Sequence, residues 1–454
     1  MRHAVGKPRD GFWHTRKRPS TGDRYLAWLT WVLLGYALLG RGFAYLGVAP
    51  LYLGEITLAF GLVIWCLNRF CFEVFRLVPA CLLAGFIFWE ATRTFPHISD
   101  YGIDALRDGA SWGYGFYALI VATLLIARPE RLVFLLNRYR RFVVIFVALA
   151  PIAFLIDLLV GDAVPRLPGS PVPLLDVKAG DILVHLAGSA AFLVAGLGGA
   201  SIFVVVMLCV DFPLAAFWNR GGMLAFLASL SLATLLTRYR TRVVSVLYAF
   251  VFALMIFAFS GVAIQLPGQS DELEISAEQL VLNVQSVISE DDSNTARLES
   301  TKEWRLEWWS KIIGYTFGGD YFWTGKGYGI NLAEDDDFQN KQLEDDTPLR
   351  SPHSAHMTFL ARSGVPGFAL WLLVQLSWAL GMLIGYLRSR YRQQRWWSAT
   401  FLFLLAYWTA FMINASFDVF IEGPMGGIWF WTLYGVGLGA MWIYQRYPET
   451  LADP

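Results

Sequence analysis

About twelve apolar runs of roughly 16–25 residues recur along the chain, and a helix of that length crosses about 30 Å of hydrocarbon. They fall near 25–40, 50–67, 76–92, 111–127, 142–160, 181–197, 200–218, 222–237, 243–265, 366–387, 398–416 and 427–445. Backbone N–H and C=O groups in lipid must bond within their own segment, so the runs read as helices. The expected fold is an all-α polytopic membrane protein. Composition agrees: 56% of the 454 residues are hydrophobic, only 16% are charged, and mean hydropathy is +0.47. A soluble chain carries about a quarter charged residues, so an ordinary soluble enzyme is excluded, and so is a disordered chain. The first run lacks a clear small-residue cleavage site and reads as a span rather than a signal peptide. Cys66, Cys71, Cys81 and Cys209 lie in or beside apolar runs, which argues against a disulfide framework or a cysteine zinc site.

Lysine and arginine collect on alternate connections. Arg16-Lys17-Arg18, then Arg128, Arg131, Arg138, Arg140 and Arg141, then Arg238, Arg240 and Arg242, then Arg388, Arg390, Arg392 and Arg395 mark one side. The other connections hold scattered single charges such as Arg41, Arg93, Arg166, Lys178 and Arg220. The positive-inside rule puts the basic side and both termini in the cytoplasm. The expected division is a basic cytoplasmic tail (1–24), spans one to nine (25–265), an outer loop (266–365), spans ten to twelve (366–445) and a short cytoplasmic tail (446–454). The tightest joint is Leu197-Gly198-Gly199-Ala200.

The outer loop holds half of the acidic residues, including Glu334-Asp335-Asp336-Asp337 and Glu344-Asp345-Asp346. These runs lack the spacing and central glycine of a calcium loop and read as solvated charge. Thr295 to Ile313 has helical spacing, with Trp304, Trp308 and Ile312 on one stripe. Ser351-Pro352-His353 reads as N-cap, N1 and N2 of a second helix running to about Ser363. Gly364 ends it and Pro366 opens the next span. The loop is therefore expected to form a small helical cap on the outer surface.

Several residues there could carry chemistry. Arg220 sits in Trp218-Asn219-Arg220-Gly221-Gly222; it could snorkel as an anchor or meet a ligand that the glycines let approach. Arg297 and Arg305 lie eight residues apart, some 80° beyond two helical turns. They could line a solvated face with Glu299 and Glu307, or join Arg220 in a diphosphate clamp, since a guanidinium donates two parallel bonds to oxygens. His353 and His356 would share one face of a helix start, where the imidazolium is disfavoured and a neutral base is available. No HExxH pattern or nearby cysteine accompanies them, so no metal is expected. Trp304, Trp308, Trp309 and Trp323 could stack on sugars or pack the loop. Within or beside the spans, Glu55, Asp157, His185, Asp211, Asp418 and Glu422 are ionisable, and such groups are functional candidates.

Taken together, Arg305-Leu306-Glu307-Trp308-Trp309, Gly325-Lys326-Gly327-Tyr328-Gly329, Pro352-His353-Ser354-Ala355-His356 and Gly364-Val365-Pro366-Gly367 resemble the signature of the O-antigen ligase and O-antigen polymerase superfamily. Asn219-Arg220-Gly221-Gly222 is similar to its motif on the preceding outer connection. Ser354 stands where the family usually has Asn. The resemblance implies a GT-C-type membrane glycosyltransferase of the bacterial inner membrane, working at the periplasmic face without metal or cofactor. Its donor would be a glycan on polyprenyl (undecaprenyl) diphosphate, and its acceptor a hydroxyl, with the lipid A core slightly favoured. A growing polysaccharide, as in a polymerase, or a protein hydroxyl are the alternatives. His353 would be the base, and Arg220 and Arg305 would hold the diphosphate, with Arg297 competing for the second place. His356, Trp308 and Trp309 are expected to line the substrate. Partners would be the lipid-linked donor, the acceptor and the bilayer, not nucleic acid. A secondary transporter or flippase is the reading from another class; no repeat relating two halves supports it.

Overall fold

The computed structural model describes residues 19–167, 172–199, 201–237, 263–265, 274–276, 296–339 and 349–452, with residues 296–302 as backbone. They are mostly helical. In chain order the principal helices are α1 (Thr21–Leu39), α2 (Leu53–Cys66), α3 (Val78–Thr94), α4 (Ile103–Gly113), α5 (Gly115–Ala127), α6 (Glu130–Val160), α7 (Ala179–Val194), α8 (Ile202–Ala216), α9 (Arg220–Leu236), α10 (Ala296–Phe317), α11 (Ala355–Tyr391), α12 (Arg395–Ala415) and α13 (Pro424–Arg446). Short helical turns and two small antiparallel ladders, Gly47–Val48 with Leu51–Tyr52 and Ala263–Gln265 with Glu274–Ser276, lie between them.

Each expected apolar run except that near 243–265 coincides with a helix. That run lies outside the described residues apart from 263–265, which are extended and not helical. By length and composition, 4 helices among the described residues are long and apolar enough to cross a membrane: Ile103–Ala127, Glu130–Val160, Ala355–Tyr391 and Arg395–Ala415. Leu53–Cys66, Ala179–Val194, Ile202–Ala216 and Arg220–Leu236 are apolar but shorter.

The bundle is closed by aromatic packing and close backbone approach. α13 lies against α5, where a Cβ on Gly435 would stand 2.6 Å from the Ala118 carbonyl oxygen; only a glycine allows that contact. Trp371, Trp378, Trp431 and Tyr434 are fully buried between α11 and α13. The indole N–H of Trp378 donates to the Tyr434 carbonyl at 2.9 Å, so its polar atom is satisfied inside the core.

α11 is broken near its start. Gly364 has φ +68°, the left-handed region open to glycine, and a Cβ there would meet the Phe322 carbonyl oxygen at 2.5 Å. The break exposes helix carbonyls, and the turn after α10 fills them. Lys326 N–H donates to Ala361 O at 2.8 Å and Gly327 N–H to Arg362 O at 2.9 Å. Val365 N–H returns a bond to Phe322 O at 2.8 Å. The kink is thus the seam joining the cap to the bundle.

Candidate active site

The cap has its own small core. Trp308 and Ile312 of α10 are fully buried against Leu332, Ala333, Leu360 and Ala361. The Trp308 indole donates to Asp336 Oδ2 at 2.8 Å, and its ring stacks on Phe338 at 5.3 Å. Asp336 corrects the expectation of solvated acidic charge, because it has no exposed surface. Lys326 Nζ reaches Asp335 at 2.5 Å and Asp336 at 2.6 Å. Burial works to lower the Lys326 pKa, but the two carboxylates overcome it and hold it above the usual range.

A second buried cation fixes the glycine turn. Arg362, 3% exposed, pairs with Asp108 at 2.9 Å and donates to the carbonyls of Gly327 and Ile330, each at 3.2 Å. Arg350 reaches the same carboxylate at 3.2 Å. The Tyr328 hydroxyl donates to Glu90 of α3. Glu422, in the turn between α12 and α13, accepts from the Thr358 hydroxyl at 2.9 Å. Burial pushes its pKa up to about 7 against the pull of Thr358 and Arg362.

His353 is not on a helix, which corrects the expected register. Its φ is +52°, and the N-cap is Ser354, whose hydroxyl faces Met357 N–H at 3.5 Å. The cause is tertiary: the Trp309 indole takes the Pro352 carbonyl at 2.9 Å, holding 352–353 outside the helix. The imidazole lies edge-on to Trp304, ring centroids 6.3 Å apart. Its pKa is lowered to about 4, first by burial and then by the positive charges of Arg305 and Lys178, with Asp418 opposing. It is therefore neutral at physiological pH.

Arg305 donates from Nη1 to the Phe417 carbonyl at 3.2 Å. Its Nε is buried with no hydrogen-bond partner among the described residues. Arg220 is the first residue of α9, whose N-cap Asn219 accepts from Gly222 N–H at 2.6 Å. The neighbouring Gly221 sits on Phe417, where an added Cβ would lie 3.0 Å from the Phe417 Cβ. The Phe417-Asp418 turn after α12 is thus the meeting point of the Arg305 guanidinium, the Arg220 segment and the field around His353.

Residues 202–372 match the family model described as O-Antigen ligase. The chain resembles the O-antigen ligase/polymerase superfamily across that segment. No curated protein matches it. The matched segment of this O-antigen ligase-like chain contains Arg220, Arg305, His353 and the α11 break. The match supports a membrane enzyme of the O-antigen ligase/polymerase type, and with the apolar helices an inner-membrane protein of lipopolysaccharide or polysaccharide biosynthesis.

Most of the remaining expected residues make contacts of their own. Trp308 is the centre of the cap core and has no exposed face for a sugar. Trp309 braces the His353 loop through Pro352. His356 is wedged between helices: its Nδ1 accepts from the Trp371 indole at 3.0 Å, and Nε2 faces the Ser416 hydroxyl at 3.2 Å. Both ring nitrogens are therefore engaged. Arg297 lies on α10, but its side chain falls outside the described residues. Glu55 accepts from the Tyr114 hydroxyl at 2.6 Å, Asp157 from Val177 N–H at 3.1 Å, and His185 Nδ1 meets the Tyr407 hydroxyl at 2.7 Å. These contacts satisfy packing needs. Both Asp211 oxygens are buried without a partner among the described residues.

Proposed function

We propose that the chain is a GT-C-type inverting glycosyltransferase that moves a glycan from polyprenyl diphosphate to an acceptor hydroxyl at the periplasmic face. It would cross the inner membrane about twelve times with both termini cytoplasmic, and residues 266–365 would form the cap over the site. The observation that carries the reading is a neutral imidazole, His353, held in the field of Arg305 beside the turn that also seats the Arg220 segment.

The acceptor oxygen attacks the anomeric carbon from the face opposite the diphosphate. The new C–O bond forms as the bond from carbon to the diphosphate oxygen breaks, inverting the centre. The hydroxyl proton passes to His353. Negative charge grows on the departing diphosphate, and Arg305 and Arg220 hold it. Arginine suits this task because it does not titrate and its fork matches phosphate oxygens. With fixed positive charge at the leaving group, no metal is needed. The buried Arg305 Nε is a donor not taken up by the described residues, as a diphosphate ligand requires. Arg297 competes for the second arginine's place. The lipid A core is the favoured acceptor; a growing glycan or a protein hydroxyl would use the same steps.

The test is transfer by purified protein in liposomes, supplied with a lipid-diphosphate glycan and each acceptor in turn, with products identified by mass. His353→Ala should cut transfer about 10²–10⁴-fold, the usual worth of a general base, while its melting temperature stays close to the parent's. Normal product from that variant, or lipid movement without any transfer, would refute the reading.

A further inference from the structure

A cleft opens between α1, α6, α12 and α13, away from the outer site. Leu29, Leu33, Phe142, Trp429 and Leu433 are among the residues that line it, and Arg138 and Arg141 stand at its edge. The two arginines are three apart on α6 and so share a face. The Arg138 guanidinium lies over the rings of Phe134 and Trp31, at 5.2 and 6.0 Å. Neither arginine meets a carboxylate among the described residues. Arg131, about two turns or more before them on the same helix, is different: it binds Asp23 at 2.7 Å and the Ser20 hydroxyl at 2.9 Å. Its charge is used in capping α1.

The position of the pair along α6 fixes its depth. Phe142 to Val160 carries one charged residue, Asp157, and spans about 28 Å, close to one hydrocarbon thickness. Arg138 and Arg141 therefore lie where the apolar stretch ends, at headgroup level. Trp28 and Trp31 are exposed nearby, 49% and 55%, as interfacial indoles are. Inside the cleft the Thr432 hydroxyl is buried, 6% exposed for the residue, with no hydrogen-bond partner among the described residues. An apolar slot with cations at its mouth and an unsatisfied hydroxyl in its wall complements a molecule with acyl chains, an ester carbonyl and an anionic head.

We propose that this cleft binds an anionic diacyl phospholipid from the leaflet at the basic end of α6. One acyl chain would lie along Leu33 and Leu433, the phosphate would meet Arg138 and Arg141, and the Thr432 hydroxyl would donate to an ester carbonyl. Basic pockets between membrane helices suit anionic headgroups for this reason. The inference is independent of the transfer reaction and of its acceptor.

The probe is phosphatidylglycerol, added to the full chain in neutral detergent, against phosphatidylcholine with the same acyl chains. Native mass spectrometry and thermal unfolding are the readouts. Phosphatidylglycerol should stay bound as a one-lipid adduct and raise the melting temperature by several degrees; phosphatidylcholine should do neither. The double variant R138Q/R141Q should weaken the adduct about tenfold or more. Leu34→Trp, which fills the cleft from α1 and leaves the arginines intact, should abolish it. Equal adducts with the two lipids, an adduct unchanged in R138Q/R141Q, or preference for undecaprenyl phosphate over phosphatidylglycerol would each overturn the proposal.

Discussion

The two sides of the cap use charge in opposite ways. On the glycine-turn side, Lys326 sits between Asp335 and Asp336, and Arg362 between Asp108 and two carbonyls. On the His353 side, Arg305 makes one bond to a backbone carbonyl and keeps a buried Nε unpartnered among the described residues. The first arrangement holds a shape. The second leaves electrostatic capacity for something that arrives. A buried cation already saturated with partners can do little for a substrate, whereas a desolvated donor without one gains strongly from an anion.

The largest effect should come from the saturated side. Arg362→Ala leaves the carbonyls of Gly327 and Ile330 without that donor, and takes from Asp108, whose side chain is 9% exposed, its shortest ion pair, with Arg350 remaining at 3.2 Å. Removing one partner of a buried pair costs about 3–5 kcal/mol. Thermal unfolding should show that loss, and activity should fall with the fold. Wild-type stability in this variant would mean the clamp is ornamental. Arg305→Ala should do the reverse: transfer falls about 10²–10³-fold, while the melting temperature moves little. Equal damage to stability and rate would erase the distinction between the sides.

Acidity separates them again. His353 titrates near 4 instead of 6.5 because burial and neighbouring cations disfavour its charged form. Its neutral form is lost as pH falls through about 4, so the acid limb of kcat/KM should sit there; a limb near 6.5 would mean that another group is the base. Glu422 has the opposite sign. Its folded pKa is raised from 4.5 to about 7, so the folded state holds a proton that the unfolded state has shed. Stability from that proton is present below about 4.5 and lost as pH rises through 7. Wild-type melting should decline between pH 5 and 8, by of the order of 2 kcal/mol, and Glu422→Gln should flatten the decline.

The helices were readable because lipid leaves a backbone no alternative, and α10 because its stripe of Trp304, Trp308 and Ile312 faces one way. The site's partners were less so. Asp336 looked solvated within an acidic run; its burial depends on Trp308 and Lys326, which only the folded cap brings to it. A lone lysine inside a glycine turn was the available hint. Arg362 is one charge after the apolar stretch Phe359 to Ala361, and such a charge asks for a buried partner. That partner, Asp108, is far away in sequence, and spacing cannot find it.

The helix start at 351–355 offers the finest test of the contrast. Local rules point to Ser351 as the N-cap, but the cap is Ser354, because Trp309 holds the Pro352 carbonyl outside the helix. Serine and asparagine cap about equally well. Ser354→Asn, which restores the usual family residue, should therefore leave melting and transfer nearly unchanged. Ser354→Ala removes the cap and should cost about 1 kcal/mol. Because His353 is the preceding residue and sits in a left-handed conformation, the loosened start should also lower kcat more than it raises KM. If alanine lowers stability by that amount yet leaves kcat untouched, His353 is positioned by Trp309 alone, and the capping serine belongs with the structural side of the cap.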